Sequence, residues 1–180
     1  MATVLPTRLH LILPRIKARL LQVLAFPEER VLIGTDEQQN DPHPSGAAQF
    51  VRMWASGGNY NEGYWQGMER ICTVYSRKVR VTLYTQLNVD PVYHDEKWAV
   101  DPAVGHYARE HLLFEALLAF FPVDEKGNQL TTEGLIPGFV SEAEKTRRAN
   151  LGMNGWGRSK LEVDVKYILD LNINLNNLNS

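Results

Sequence analysis

Leu161-Glu162-Val163-Asp164-Val165-Lys166-Tyr167-Ile168-Leu169-Asp170-Leu171 decides the fold class. Leu161, Val163, Val165, Tyr167, Leu169 and Leu171 fall on one side. Glu162, Asp164, Lys166 and Asp170 fall on the other, with Ile168 among them. Successive side chains of an extended chain point to opposite faces, so this period of two reads as a half-buried β-strand. It is about twice the usual strand length. A long strand placed so late, after a helix and an irregular stretch, predicts an α+β protein. The expectation is an antiparallel twisted sheet with two main helices packed on one side and long loops.

The chain has 180 residues, enough for one domain with its own core. Residues 1–171 read as a single α+β domain and residues 172–180 as a flexible tail, since five of those nine are asparagine. The formal net charge of −2 excludes a bulk positive field for holding nucleic acid. Two local basic runs stand out, Arg77-Lys78-Val79-Arg80 and Lys145-Thr146-Arg147-Arg148. Both read as solvated charge on a strand edge and a loop. The single cysteine, Cys72, has no intrachain disulfide partner, which fits a reducing compartment. No run approaches the ~18 apolar residues of a membrane-crossing helix. The N-terminus lacks the basic, apolar and small-residue succession of an export leader.

Working outward, Leu9, Leu13, Ile16, Leu20 and Leu24 recur at helical steps, with Thr7 as a candidate cap. Pro14 either opens this helix or kinks it, so a helix over about 12–25 is expected. Arg30–Thr35 reads as a short strand, Asp36–Gly46 as turns, and Gln49–Trp54 as another strand. Gly57–Gly67 reads as a loop whose Tyr60, Tyr64 and Trp65 anchor it or meet a partner. Met68–Leu87 alternates again over Ile71, Thr73, Tyr75 and then Val79, Val81, Leu83. It is long enough to require a bend or bulge near Ser76–Lys78, or to protrude from the body as a curved strand.

Asp101-Pro102 has the form of a helix start, a capping aspartate followed by proline. Tyr107, Phe114, Leu117 and Phe121, flanked by Leu113 and Phe120, would then face the sheet, and Pro122 would end the helix. Residues 123–159 carry weak periodicity and read as a long loop with a turn at Glu125–Asn128 and a short exposed helix over Ser141–Asn150.

Chemical motifs are scarce. Gly152–Ser159 nearly spells a phosphate-binding loop, but arginine replaces the lysine and a strand, not a helix, follows. It reads instead as a glycine loop leading into the sheet, with Trp156 as a packing or interface anchor. His106 and His111 are five apart, whereas two ligands on one helix face sit four apart. No serine elbow appears, and Glu28/Glu29, Asp95/Glu96 and Glu142/Glu144 read as surface charge. The expectation is therefore no catalytic residue, no cofactor and no metal.

The order of elements resembles that of the tail terminator (tail-completion or neck) proteins of tailed bacteriophages. The residues carrying the resemblance are the Leu9–Leu24 helix, Arg30–Glu37, Arg77–Thr85, the Asp101–Phe121 helix and Leu161–Leu171. The 123–159 loop and the asparagine-rich tail are longer than that pattern. The resemblance implies a structural virion protein, assembled in the host cytoplasm, that forms a closed hexameric ring on the head-proximal end of the tail tube. Its implied partners are copies of itself, the tail tube protein, the head-side connector or stopper and, in a contractile tail, the sheath protein. DNA would pass through the lumen without sequence-specific binding. Tyr64, Trp65, Trp156 and Arg158 are the expected interface residues. The alternatives are another neck or tail component, such as a head-completion or tube protein, and a small cytoplasmic enzyme.

Overall fold

The computed structural model describes residues 8–34, 47–67, 70–87, 100–140 and 155–170. In chain order these form α1 (Leu9–Leu24), a 3-10 turn (Glu28–Arg30), β1 (Val31–Ile33), β2 (Gln49–Gly67), β3 (Arg70–Leu87), α2 (His106–Leu117), β4 (Ile136–Val140) and β5 (Gly155–Asp170). The strands make one sheet in the order β1-β2-β3-β5-β4. The fold is α+β. The sheet is mixed rather than wholly antiparallel, because β1 runs parallel to β2.

The alternation of the C-terminal stretch becomes its burial pattern. Leu161, Val163, Val165 and Tyr167 are fully buried. They join Val79, Val81 and Leu83 of β3, Val51 and Met53 of β2, and Val31 of β1 in one apolar cluster with both helices. From α1 that cluster receives Leu9, Ile12, Ile16, Leu20 and Leu24, spaced three and four apart as one helical stripe. From α2 it receives Leu113, Ala116 and Leu117.

Helix α1 begins at Leu9, earlier than expected, and continues through Pro14. Pro14 and His10, whose carbonyl a different residue 14 would bond, both lie on the exposed face. The lost bond is therefore beside water, not in the core. Thr7 lies outside the described residues. Helix α2 starts at His106, not Asp101. Asp101 Oδ1 instead accepts from the backbone N–H of Ala103 (2.8 Å) and Val104 (3.0 Å), closing a separate turn. Extended Gly105 then divides that turn from the helix.

The later start changes the buried face of α2. Tyr107 is 61% and Phe121 47% exposed, while His106 and Leu113 point inward. Phe114 and Phe120 remain packed against the core. Each helix also supports the end of the other. Arg19 Nε donates to the Ala116 carbonyl (3.3 Å), and the Arg109 guanidinium donates to the Leu24 carbonyl. Arg19 lies over Phe120 and Arg109 over Phe26. Cations over the carbonyl ends of helices are favourable.

Three expected loops change. Gly57–Gly67 is the outer part of β2. Its alternation is hidden because the β2–β3 register shifts between Ala55 and Gly58 and again between Tyr60 and Tyr64. The irregularity expected near Ser76–Lys78 is present, but the extra residue is on β2, opposite Lys78. Residues 123–159 contain β4, which pairs with Lys160–Asp164 of β5. Gly155–Ser159 belongs to β5, not to a loop before it. The turn at Glu125–Asn128 holds, tied by Asp124 Oδ1 to the N–H groups of Lys126 and Asn128. The readings at Asp36–Gly46, Ser141–Asn150, Lys145–Arg148 and 172–180 lie outside the described residues.

Replacing Leu83, fully buried on the central strand, by alanine should cost about 2–5 kcal/mol in urea unfolding. Leu118→Ala, at a position 55% exposed, should change stability by less than about 0.5 kcal/mol.

Candidate functional site

Strands β2, β3 and β5 form one long ladder. In β3 the core contacts run from Leu83 back to Tyr75, whose ring meets Tyr167 edge-on at 5.3 Å. Beyond Tyr75, β3 continues to Arg70, paired on one side with β2 as far as Gly67 and on the other with β5 as far as Asp170. The three strands stay paired as far as Cys72, and β2 and β3 as far as Arg70, so this arm of the sheet runs about 10–16 Å beyond Tyr75 at about 3.3 Å per residue. Along the outer edge of β2, the strand β1 covers Val51–Met53. From Trp54 to Gly67 that edge has no strand partner among the described residues. A row of unpaired strand N–H and C=O groups is a template for another chain.

The expected interface residues divide between the two ends of the sheet. Tyr64 and Trp65 lie in the arm, opposite Thr73 and Cys72. Trp156 and Arg158 lie at the start of β5, opposite Gln86 and Tyr84. Along β3 the two pairs are roughly 40 Å apart at about 3.3 Å per residue. They cannot form one contact patch on a single chain.

Arg158 belongs to an array on the sheet face opposite the helices. Three rungs cross β2, β3 and β5: Phe50–Tyr84–Arg158, Arg52–Thr82–Lys160 and Trp54–Arg80–Glu162. Phe50 and Tyr84 stack with centroids 4.7 Å apart. Arg52 lies over Phe50, Arg80 over Trp54 and Arg158 over Tyr84. Glu162 accepts from Arg80 (2.7 Å) and Lys78 (3.3 Å). The Arg80 hydrogen bond is the main reason its carboxyl sits below the usual range. Phe50, Trp54, Tyr84 and Thr82 are all buried. The basic run Arg77–Arg80 is thus on the central strand, not an edge, and its charges are engaged on both sides of it. The alternation Phe50, Arg52, Trp54 was readable in sequence as a second face, but the rings it would meet are on other strands.

On the helix side lies a buried polar relay that sequence reading missed. His106 Nδ1 is 2.8 Å from Thr85 Oγ1, and its Nε2 is 2.8 Å from Ser159 Oγ. Gln49 Nε2 donates to the Val104 carbonyl (2.6 Å) and lies 3.4 Å from Thr85 Oγ1. Glu110 shares a hydrogen bond with Ser159, and burial raises its carboxyl above the ordinary range. Burial alone lowers His106, so its imidazole is neutral near pH 7. Ser159 is thus shared between the His106 ring and the Glu110 carboxyl. Among the described residues no cluster of three or more His, Cys, Asp or Glu is placed to hold a metal.

Comparison with protein-family models gives no match, and comparison with curated proteins gives none either.

The Glu162 pKa is depressed in the fold, so its stabilisation is present above the unfolded carboxylate range and is lost as pH falls through the folded value. Glu162→Gln should therefore destabilise the protein at pH 7 by about 1–3 kcal/mol. The gap between variant and parent should narrow below about pH 4, as read by denaturant melts across pH.

Proposed function

We propose that this chain is a ring-forming structural protein of the bacteriophage tail terminator or neck type, without catalytic activity. The observation that carries the reading is the long ladder of β2, β3 and β5, with the β2 edge from Trp54 to Gly67 open among the described residues. An open edge on a long ladder suits addition of one copy to the next. Repeated head-to-tail contacts of this kind close into a ring when the rotation between copies permits. The separation of Tyr64 and Trp65 from Trp156 and Arg158 supports the same reading. A heterologous contact needs two different surfaces on each copy, one at each end.

The proposed partners are further copies in a hexamer, the tail tube protein on one ring face and the head-side connector on the other. A sheath protein joins them if the tail contracts. A chain of net charge −2 suits a lumen through which DNA slides, because a strongly basic wall would retain DNA by counterion release.

Negative-stain electron microscopy of the purified protein should show closed annuli of uniform diameter. Open-ended filaments would instead favour a tube protein of the same assembly, and a monodisperse monomer at high concentration would overturn the ring. Replacing Tyr64 and Trp65 together by aspartate should weaken self-association by about tenfold or more while leaving the circular dichroism of the monomer unchanged.

A further inference from the structure

The hydrogen-bond relay at the start of α2 has a direction. Gln49 Nε2 is a donor only, and it gives its protons to the Val104 carbonyl and towards Thr85 Oγ1. With Thr85 donating its hydroxyl proton to His106 Nδ1, the imidazole proton sits on Nε2 and goes to Ser159 Oγ, the tautomer that Gln49 at one end of the relay and Glu110 at the other favour. Ser159 passes its own proton to the Glu110 carboxylate. Every donor has one acceptor. Gln49, Thr85, His106 and Ser159 are all buried, so water cannot replace a lost partner.

A second imidazole proton does not fit. With Nδ1 also carrying hydrogen, Thr85 Oγ1 would face donors from both His106 and Gln49. Its own hydroxyl proton would have to leave the relay. The relay joins the first residue of α2 to β2, β3 and β5 at once, and α2 has no side-chain cap at its start. Gly105 precedes it. His106 is thus the polar tie between the helix N-terminus and the sheet.

We propose that His106 is a proton-operated latch: its neutral form ties the first turn of α2 to the sheet, and its protonation releases that turn. The latch is internal to one chain and does not depend on ring formation. His106 is faced by Gln49 from β2, Thr85 from β3, Ser159 from β5, and Tyr107 and Glu110 from its own helix. Glu110 is the carboxylate among them, and its effect has the opposite sign. The docked state holds the His106 pKa below that of a free histidine, so falling pH favours release. The docked state holds the Glu110 pKa above that of a free carboxylic acid, so falling pH through that range favours docking.

The test is amide hydrogen exchange of the full chain, read at residues 106–112 and corrected for the intrinsic pH dependence of exchange. Between pH 7 and pH 5.5, protection there should fall several-fold, with a ceiling of about tenfold per pH unit set by one proton. The amides of Val79–Leu83 should not change in parallel. Glu110→Gln should steepen the loss. His106→Gln should abolish the loss of protection on acidification, leaving the opposite effect of Glu110, whatever its effect on stability. Unchanged protection in the parent over this range would overturn the latch, as would the same pH profile in His106→Gln.

Discussion

The ladder between β3 and β5 is the constraint on which the rest depends. It pairs Cys72 with Asp170 through to Leu87 with Gly155 without one register shift. Because side chains alternate with a period of two, an unbroken ladder keeps every inward residue of both strands on the helix side. Val79, Val81 and Leu83 therefore meet Leu161, Val163 and Val165 in one plane that α1 and α2 can cover. The mismatch falls on β2, which takes both register shifts against β3. Extra residues on one strand bend it and increase its local twist. The arm is thus bent on its outer strand while its inner pair stays regular.

The two faces of this sheet are built from different chemistry. On the helix side, apolar burial dominates around a polar group centred on His106. On the other side, arginines lie over aromatic rings, and Glu162 holds two of the cations. The reciprocal arginines Arg19 and Arg109 fix the helices to each other rather than to the sheet. The helix pair therefore acts as one lid over the apolar face.

Much of the fold was legible because local and tertiary preferences agreed. Leu161–Tyr167 alternates in sequence and is buried in alternation; Leu9–Leu24 carries a helical stripe and forms a helix. The misreadings occurred where a local signal served another purpose. Asp101 does bind backbone N–H groups as a capping residue would, but it closes a turn ahead of the helix. The outer half of β2 hid its period behind two bulges. β1 is three residues long, too short to announce that it runs parallel. His106 gave no signal because its partners Thr85 and Ser159 are remote in sequence, and only the register of β3 against β5 brings them together. Among the expected interface residues, Trp156 and Arg158 were read in a glycine loop leading into the sheet, and nothing local could show that they lie in β5, far along β3 from Tyr64 and Trp65.

In the proposed ring the outer edge of β2 is completed by a second copy of the chain. Hydrogen exchange resolved to Trp54–Gly67, compared between dilute monomer and concentrated assembly, tests it most directly. The account predicts fast exchange along this edge in the monomer and strong protection on assembly, while the Val79–Leu83 amides of β3 stay protected in both. Equal exchange along Trp54–Gly67 in the two states would contradict it.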